Sequence, residues 1–454
     1  MKKHEETEKM NITRKLLLIF GSAFALFFFV WLFLFMKDPS GSQRGVMFTD
    51  GNDFFMDWFN VVYYSIGKKP YIWGLTEERS LPPLTYLLLY PFSKLYDYDV
   101  TGWVENESRY DARFTQLPMT GFLIVFIISY LLLFYSLYKT SRKSRIIRSD
   151  LGRAFLFLIL FLSGVNLYCL DRGNLQVVTA AAVFLYIFLC DDDNKDTKFT
   201  VCTSDSVADN VSGCVPDDSS AGAVSEGVPY KIRALIGCFC LAFAAALKIF
   251  PAVMGILLIY KKKWKKAVCA FVIGVALYII PFLWLDMPFT EAVSAFISTL
   301  AEHAASYMTV AEFGFSTNVI TSLTGISHGA LQIMAYIAAL LTLCTAWSLK
   351  GWKKIMLLML MLVMTSGQQG YYCLMFLFLP IVMFFNEEHR WSDVIYVLAF
   401  AIILSPLQRT AHFGAVDIPA RAVINMVMLL LYLWLLICAV RAALAKSKSD
   451  LRQS

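Results

Sequence analysis

Hydrophobic residues occur along the chain in long continuous runs that short polar segments separate. Several runs approach the roughly 20 residues that a helix needs to cross a bilayer, and they lack the alternation of a membrane β-barrel strand. The pattern predicts an all-α polytopic membrane protein with about twelve transmembrane helices, in a range of about ten to thirteen. The predicted spans are 15–36, 116–138, 153–170, 174–190, 231–247, 249–260, 265–285, 330–348, 353–370, 371–386, 392–407 and 420–441.

Clusters of lysine and arginine indicate which helix ends face the cytoplasm, because cytoplasmic loops are enriched in basic residues. The clusters lie at 139–148, at 261–266, at 350–354 and in the C-terminal tail. Placing all of them inside predicts cytoplasmic N- and C-termini. The extracytoplasmic face then carries the loops 37–115, 171–174, 286–329, 367–372 and 408–417.

Three segments differ in character from the predicted spans, within what we interpret as one membrane domain over 1–454. Segment 81–92 is apolar but short and opens with paired prolines, which indicates a re-entrant or interfacial piece. Segment 289–308 has a helical apolar period and predicts an amphipathic helix in the interface plane. The acidic, serine-rich segment 191–229 predicts a disordered cytoplasmic insert.

Composition supports a membrane protein and excludes several other classes. Hydrophobic residues make up 58% of the chain and charged residues only 16%, against about a quarter charged in soluble domains. The basic patches are short, so nucleic acid is not a predicted partner. The ten cysteines show no metal-binding spacing, and we predict no metal site, although a divalent ion held by Asp53 and Asp57 stays an alternative.

The stretch "TDGNDFFMDWFN" at 49–60 follows the first hydrophobic run directly. Its Asp53 and Asp57 are four positions apart and would share one face of a helix. Asp57 lies among Phe, Met and Trp, where an ionised carboxylate is costly without a partner. Such a carboxylate would suit a general base for an incoming hydroxyl. Turn and helix-cap chemistry is the alternative interpretation.

Other polar residues gather on the same predicted face. The forked guanidinium of Arg172 would bind a phosphate well. Lys248 stands between two apolar runs, where it would face either a lipid phosphate or the interface. The further candidates for phosphate or substrate binding, each with an alternative role in a turn or cap, are Asp171, Asn174, Asn318, Gln368, Tyr372, Arg409 and His412.

Several stretches taken together resemble glycosyltransferase family 87, the polyprenol-phosphate-dependent mannosyltransferases of the GT-C class. "DFFMDWFNVVYYSIGKKPYIW" and "PPLTYLLLYPF" resemble the first outer loop of that family, and "DRGNLQ" resembles its Arg-Gly-Asn/Gln turn. "ALKIFPAVMGILLIYKKKWKKAV" is similar to its Lys-aromatic-Pro segment, and "FSTNVITSL" to its Asn-containing outer loop. The resemblance extends over roughly 45–375.

The resemblance implies a GT-C-like fold with an extracytoplasmic active site in the cell membrane. The donor would be a polyprenyl-phosphate sugar, and the acceptor a glycolipid or a glycan. Transfer would be a single inverting displacement with Asp53 or Asp57 as the base, Asp57 being favoured by its apolar setting. Arg172 and Lys248 would bind the donor phosphate, and Asn318 would contact a sugar. Arg409 lies beyond the resemblance, and its predicted binding to the donor phosphate rests on its charge and outer position.

Alternatives remain open at the level of the sequence. The histidines that members of the family often carry near "TSGQQGYYCLMFLFLP" have no counterpart there, which argues against mannose itself as the donor and the acceptor sugar. The expected transferred sugar is a mannose-like hexose or a pentose. A non-catalytic protein that binds or flips lipid-phosphate sugars would also place Arg172 and Lys248 at the interface. A secondary transporter would instead carry internal repeats and midplane charges.

Overall fold

In a computed structural model of the protein, the described residues are 2–37, 54–72, 80–98, 111–142, 150–190, 230–307, 313–365, 370–407, 410–413 and 416–451. Almost all of their regular structure is helical, as the apolar runs predict. The α-helices are α1 (Lys2–Lys37), α2 (Met56–Ser65), α3 (Pro83–Leu89), α4 (Gln116–Ser141), α5 (Asp150–Leu162), α6 (Gly164–Arg172), α7 (Gln176–Cys190), α8 (Tyr230–Leu247), α9 (Ile256–Tyr260), α10 (Trp264–Ile279), α11 (Phe289–Tyr307), α12 (Asn318–Thr324), α13 (His328–Thr345), α14 (Gly351–Thr365), α15 (Phe378–Phe385), α16 (Val394–Ile403) and α17 (Ala420–Leu451).

Short 3-10 helices extend several of these helices. They are Tyr90–Lys94, Phe250–Gly255, Ile280–Trp284, Ala346–Ser348, Tyr371–Leu377 and Trp391–Asp393. Three of them carry a proline at their first or second position, where the missing backbone N–H does no harm. The 3-10 segment Tyr371–Leu377 continues into α15, so the short predicted span at 371–386 is formed by two joined pieces.

One short antiparallel hairpin lies among the helices of the described chain. Strand β1 (Thr410–Phe413) pairs with strand β2 (Val416–Pro419), and the register places His412 opposite Asp417. The hairpin falls in the outer loop predicted at 408–417. Strands of four residues carry too little apolar alternation to be recognised from the sequence.

Some of the helices in the described part of the chain have the length and apolarity of membrane spans. Five of them could cross a bilayer, and the bent pair α5–α6 could form a sixth span. The protein is therefore a helical membrane protein. Each of the twelve predicted spans coincides with helical segments, but several of these are shorter than a full span, so the number of crossings stays a prediction.

The break between α5 and α6 has a local cause. The Ser163 hydroxyl accepts a hydrogen bond from the Asn166 backbone N–H and so starts a new helix. The Gly164 backbone N–H donates to the Leu404 carbonyl at 3.0 Å, and a Cβ at Gly164 would lie 2.6 Å from the Pro406 Cα. This close approach bends the chain by 50° and directs α6 toward α2.

The core lies around α14 and α15. Every residue from Ile355 to Met364 is buried, as expected of a helix that is apolar on all sides. The helices α4, α10 and α13 instead expose large apolar side chains such as Phe271 and Leu340, which is the surface that a bilayer would cover.

Two predicted outer segments adopt helical structure. Segment 81–92 forms α3 and the 3-10 turn that begins at Tyr90. Segment 289–308 forms α11, whose buried side chains Ala292, Phe296 and Thr299 lie on one face while Ile297 is exposed. The helix is confirmed, and its placement in the interface plane stays a prediction. The acidic insert predicted at 191–229 lies outside the described residues.

Asn425 of α17 fixes the loop that precedes α12. Its side-chain Oδ1 accepts the Gly314 N–H at 2.9 Å, and its Nδ2 donates to the Gly314 carbonyl at 3.2 Å and to the Thr317 hydroxyl at 3.3 Å. Asn425 is almost fully buried. These three bonds hold the loop against α17. Because the site is buried, the backbone groups of Gly314 would lose a partner if the amide were removed.

We predict that Asn425→Ala lowers the melting temperature of the purified protein by several degrees. The change leaves both backbone groups of Gly314 without their side-chain partner, which costs roughly 1–3 kcal/mol. Asn386→Ala is the matched control, because Asn386 donates one bond to the Thr140 carbonyl. A melting temperature for Asn425→Ala at or above that of Asn386→Ala would contradict this assignment.

Candidate active site

The start of α2 is anchored on the end of α6. The Phe55 backbone N–H donates to the Asp171 carbonyl at 2.6 Å, and Phe55 itself takes a left-handed conformation with φ 63°. For a residue with a side chain, the left-handed conformation is less stable by about 1–2 kcal/mol. The hydrogen bond to Asp171 therefore stabilises Phe55 in that conformation. The first turn of α2, which carries Asp57, is thereby fixed against α6.

The turn after α6 explains the glycine of "DRGN". Gly173 has φ 62°, its N–H donates to the Leu170 carbonyl, and the Asn174 N–H donates to the Cys169 carbonyl. These two bonds form a Schellman motif, in which glycine supplies the left-handed residue. A Cβ at Gly173 would lie 2.9 Å from the Phe55 Cα, so glycine is needed for contact as well as for conformation.

Arg172 and Asn174 bind the Asp57 carboxylate from both sides. Arg172 donates to Oδ1 through Nη2 at 2.8 Å and through Nε at 3.2 Å. The Asn174 amide donates to Oδ2 at 2.5 Å. The Asp57 and Arg172 side chains keep 20% and 21% of their surface exposed, so the pair is shielded but remains accessible.

Lys248 joins this group through two amides. Its ammonium donates to the Asn174 Oδ1 at 3.1 Å and to the Gln176 Oε1 at 3.2 Å. The Gln176 backbone N–H donates to the same Asn174 Oδ1 at 2.9 Å. We refer to Asp57, Arg172, Asn174, Gln176 and Lys248 as the Asp57 cluster. It combines one carboxylate with two cations.

Two tyrosines extend the Asp57 cluster along one side. The Lys248 ammonium lies 4.9 Å above the Tyr372 ring, within the range of a cation–π contact. The Tyr372 and Tyr168 rings are stacked with centroids 6.0 Å apart and an angle of 10° between their planes. The Arg421 guanidinium lies 5.8 Å from the centre of the Tyr168 ring. We call Tyr168 and Tyr372 the aromatic wall, which has a cation at each end.

Five of the eight predicted site residues that the structure describes meet in this region. Asp57, Arg172, Asn174, Lys248 and Tyr372 come together from four separate parts of the chain. The Asp171 side chain is buried, and its backbone carbonyl anchors Phe55. A role for the Asp171 carboxylate in substrate binding stays a prediction.

The remaining predicted site residues are not placed in the Asp57 cluster by the structure. Asn318 is exposed at the first residue of α12, where the preceding Thr317 caps the helix. His412 lies on strand β1. Three further candidates, Asp53, Gln368 and Arg409, lie outside the described residues, so their proposed roles stay predictions.

Three residues of this region were not identified from the sequence. Gln176 stands two positions after Asn174, so the motif "DRGNLQ" already contained it. Tyr168 precedes Arg172 by four positions and therefore shares its helix face. Arg421 stands alone at the start of a long apolar run, and an isolated cation there is the signal that could have found it.

Metal ligands are not grouped in the described part of the chain. No set of three or more His, Cys, Asp or Glu side chains there could hold an ion. Because Asp53 lies outside that part, the alternative of a divalent ion between Asp53 and Asp57 stays untested.

Comparison with known proteins identifies the family. The model of glycosyltransferase family 87 matches residues 81–380, about two thirds of the chain. The chain belongs to glycosyltransferase family 87. The resemblance found in the sequence is thereby confirmed over that range. No curated protein and no solved structure matches the chain. The matched range of this glycosyltransferase contains Arg172, Asn174, Lys248 and Tyr372. It begins after Asp57, so Asp57 is assigned to the site by its contacts with Arg172 and Asn174.

We predict that Gly173→Ala destabilises the protein more than Gly325→Ala. Both glycines have a left-handed backbone, with φ 62° and φ 68°, so both changes cost about 1–2 kcal/mol in conformation. A Cβ at Gly325 meets nothing within 4 Å, whereas one at Gly173 would press against Phe55. The measurement is the melting temperature of each purified variant. Equal losses in the two variants would contradict the tight contact between α2 and α6.

Proposed function

We propose that this glycosyltransferase moves a sugar from a polyprenyl-phosphate donor to a hydroxyl of a lipid- or glycan-linked acceptor. The sugar is a mannose-like hexose or a pentose. The observation that carries the proposal is the contact of Asp57 with Arg172 and, through Asn174, with Lys248. A carboxylate can act as a general base and two cations can stabilise a leaving phosphate, so this set of groups suits displacement at a sugar phosphate.

Asp57 is the proposed general base. A carboxylate has about four acceptor sites, and the described contacts use two on Oδ1 and one on Oδ2. Oδ2 therefore keeps a site for the acceptor hydroxyl. Arg172 and Asn174 fix the carboxylate in one orientation, which favours proton transfer along a defined line.

Arg172 and Lys248 are the proposed phosphate-binding residues. A guanidinium and an ammonium provide many N–H donors, and the phosphate gains negative charge as the glycosidic bond breaks. Donors that are already positioned by Asp57, Asn174 and Gln176 need little reorganisation at that moment. The Asp57 cluster thus orients its cations before a donor arrives.

The proposed step is a single displacement with inversion. Asp57 accepts the proton of the acceptor hydroxyl as that oxygen forms a bond to the anomeric carbon. The bond from the anomeric carbon to the phosphate oxygen breaks, and its electron pair leaves with the polyprenyl phosphate. No nucleotide or redox partner is needed, in agreement with the lack of a nucleotide-binding motif in the sequence.

The aromatic wall is the proposed support for the sugar ring. The carbon-bound hydrogens of a sugar face pack on an aromatic ring, and Tyr hydroxyls can bond sugar hydroxyls. Tyr372 is already in contact with Lys248, so a sugar on this ring would lie next to the phosphate. Arg421, at the Tyr168 end of the wall, would bind the acceptor.

The site is proposed to face the extracytoplasmic side. Residues 171–174 and Lys248 fall on that side when the basic clusters at 139–148, 261–266 and 350–354 are placed in the cytoplasm. The donor lipid would remain in the outer leaflet and present its phosphate at the interface. The acceptor is then a glycolipid or glycan of the cell envelope.

Binding or flipping without transfer is the alternative function. Such a protein would use Arg172 and Lys248 in the same way but would gain nothing from a carboxylate paired with Arg172. The contact of Asp57 with Arg172 reduces the positive charge that a lipid-phosphate binder would use. The geometry therefore favours an enzyme, as does membership of the family.

We predict that Asp57→Asn lowers sugar transfer by at least about 100-fold, because the amide cannot accept the hydroxyl proton. Transfer would be measured in membranes with a panel of labelled polyprenyl-phosphate hexoses and pentoses. Asp53→Asn would be measured in parallel. Asp286→Asn is the control, since Asp286 is largely exposed and pairs with Lys69.

Two outcomes would contradict the proposal for Asp57. Full transfer by Asp57→Asn at normal protein level would exclude it as the base, and a loss confined to Asp53→Asn would move that role to Asp53. If the well-expressed wild type transferred sugar from no donor of the panel, binding or transport would become the favoured function.

We predict that Lys248→Met raises the KM for the donor by about 10- to 100-fold, because a charged hydrogen bond contributes roughly 1.5–3 kcal/mol. The melting temperature should change little, since methionine retains the apolar stem. Lys69→Met is the matched control, since Lys69 is a partly buried lysine outside the Asp57 cluster that pairs with Asp286. An unchanged donor KM in Lys248→Met would place the phosphate elsewhere.

A further inference from the structure

Two lysines outside the Asp57 cluster converge on one aromatic ring. The Lys68 ammonium lies 5.4 Å over the Tyr90 ring, and the Lys94 ammonium lies 4.9 Å over the same ring. Lys68 also lies 5.7 Å over the Trp284 ring, which meets Tyr90 edge to face with centroids 5.0 Å apart. We refer to Lys68, Tyr90, Lys94 and Trp284 as the lysine–aromatic cluster.

The backbone of Lys68 is held from two sides. Its N–H donates to the Ser65 carbonyl at 3.1 Å, and its carbonyl accepts the Asp286 N–H at 3.0 Å. Lys68 has φ 53°, a left-handed conformation that residues with a side chain rarely adopt. Such a conformation persists only where the surroundings hold it. The two bonds therefore fix the point from which the Lys68 side chain reaches the two rings.

The positive charge of the lysine–aromatic cluster is not balanced by an ion pair within the described residues. Neither Lys68 nor Lys94 forms one there. Asp286 pairs with the neighbouring Lys69 at 3.5 Å, and the exposed Asp97 forms no ion pair with Lys94. Because two like charges over one ring repel each other, an anion beside them would lower their energy. Lys94 is exposed and Lys68 is half-buried, so both are accessible to such an anion.

Trp284 relates the cluster to the boundary of the membrane. It is the last residue of the candidate span Trp264–Trp284, and tryptophan and tyrosine are enriched where spans meet the lipid headgroups. The lysines of 261–266 precede this span, so its Trp284 end is extracytoplasmic when those lysines are placed in the cytoplasm. Leu88 and Leu283, close in sequence to the two rings, are exposed, as expected of a surface that acyl chains cover.

The lysine–aromatic cluster is separate from the proposed donor-phosphate site. Asp57 stands in the first turn of α2, whereas Lys68 follows the end of that helix. The helix from Asp57 to Ser65 extends roughly 12 Å at about 1.5 Å per residue. A phosphate bound by Arg172 at the Asp57 end would therefore not reach Lys68.

We propose that the lysine–aromatic cluster binds the phosphate of an anionic phospholipid in the outer leaflet. Basic residues near a membrane surface attract anionic lipids, and the flexible side chains of Lys68 and Lys94 can turn their ammonium groups toward a phosphate. The Tyr90 and Trp284 rings lie at the level of the headgroup, and the acyl chains pass over the exposed leucines. Such a lipid would tie the segment after α2 to the interface. The proposal does not depend on the proposed transferase function.

The test is NMR of the purified full chain with 13C-dimethylated lysines, a modification that keeps the positive charge. The Lys68 and Lys94 signals are assigned by their loss in Lys68→Arg and Lys94→Arg. The probe is dioctanoyl phosphatidylglycerol, added to the protein in a neutral detergent, and dioctanoyl phosphatidylcholine is the zwitterionic comparison. We expect phosphatidylglycerol to shift both signals saturably, with a Kd at least about tenfold lower than that of phosphatidylcholine.

Variants show whether both lysines form the site. Lys94→Gln should weaken the binding read at the Lys68 signal at least about fivefold, whereas Lys94→Arg keeps the charge and should bind within about twofold of wild type. Lys37→Gln is the matched control, because Lys37 lies alone over the Phe33 ring at 4.8 Å. Lys37→Gln and Asp57→Asn should both bind as wild type does.

Several results would overturn the proposal. They are the lack of a saturable shift at Lys68 and Lys94, equal affinity for the two phospholipids, and binding unchanged by Lys94→Gln. Tighter binding of geranylgeranyl phosphate than of phosphatidylglycerol at the Lys68 signal would assign the site to the polyprenyl lipid. Failure of sugar transfer in wild type would contradict the proposed function alone, because phospholipid binding does not require transfer.

A stability measurement separates lipid binding by Lys94 from a structural role. Without added lipid, Lys94→Gln should leave the melting temperature unchanged or raise it, because it removes one of two like charges. With phosphatidylglycerol, wild type should gain more in melting temperature than Lys94→Gln, since a ligand stabilises the folded state that binds it. A fall of several degrees in Lys94→Gln without lipid would show that Lys94 stabilises the fold, and would contradict the lipid role.

Discussion

The contact between the start of α2 and the turn after α6 determines the rest of the site. A single backbone bond from Phe55 to Asp171 and the lack of a side chain at Gly173 let the two segments approach within van der Waals distance. The contact brings the Asp57 carboxylate within reach of Arg172, a residue 115 positions away in the chain. Without it, nothing would hold the carboxylate of α2 close enough to the cations for all of them to bind one ligand.

Partial burial then strengthens the attraction between the Asp57 carboxylate and the Arg172 guanidinium. A carboxylate and a guanidinium that are each about four fifths shielded interact more strongly than in water, because the surroundings are less polar. Asn174 links this pair to Lys248, so an anionic ligand would meet an arrangement that is already oriented. In the proposed site, the aromatic wall next to Lys248 would support the sugar ring, and Arg421 adds a cation at its far end.

Much of the fold could be predicted from the sequence, because long apolar runs allow only helices in a bilayer. Arg172 and Lys248 were found for a similar reason, since cations among apolar residues are exceptional. The pairing of Asp57 with Arg172 could not be predicted, because it depends on the bend at Ser163 and the packing of distant helices. Tyr168 was missed because a tyrosine in an apolar helix does not stand out. The hairpin at Thr410–Pro419 was missed because its strands are short.

The most direct test of the account is a structure of the protein with a bound, non-reactive polyprenyl-phosphate sugar. We predict that Arg172 and Lys248 hold the phosphate and that the sugar ring lies on Tyr372. The anomeric carbon should face the Asp57 carboxylate, with room for one acceptor hydroxyl between them. A donor phosphate bound at the lysines of 261–266, or a sugar turned away from Asp57, would contradict it.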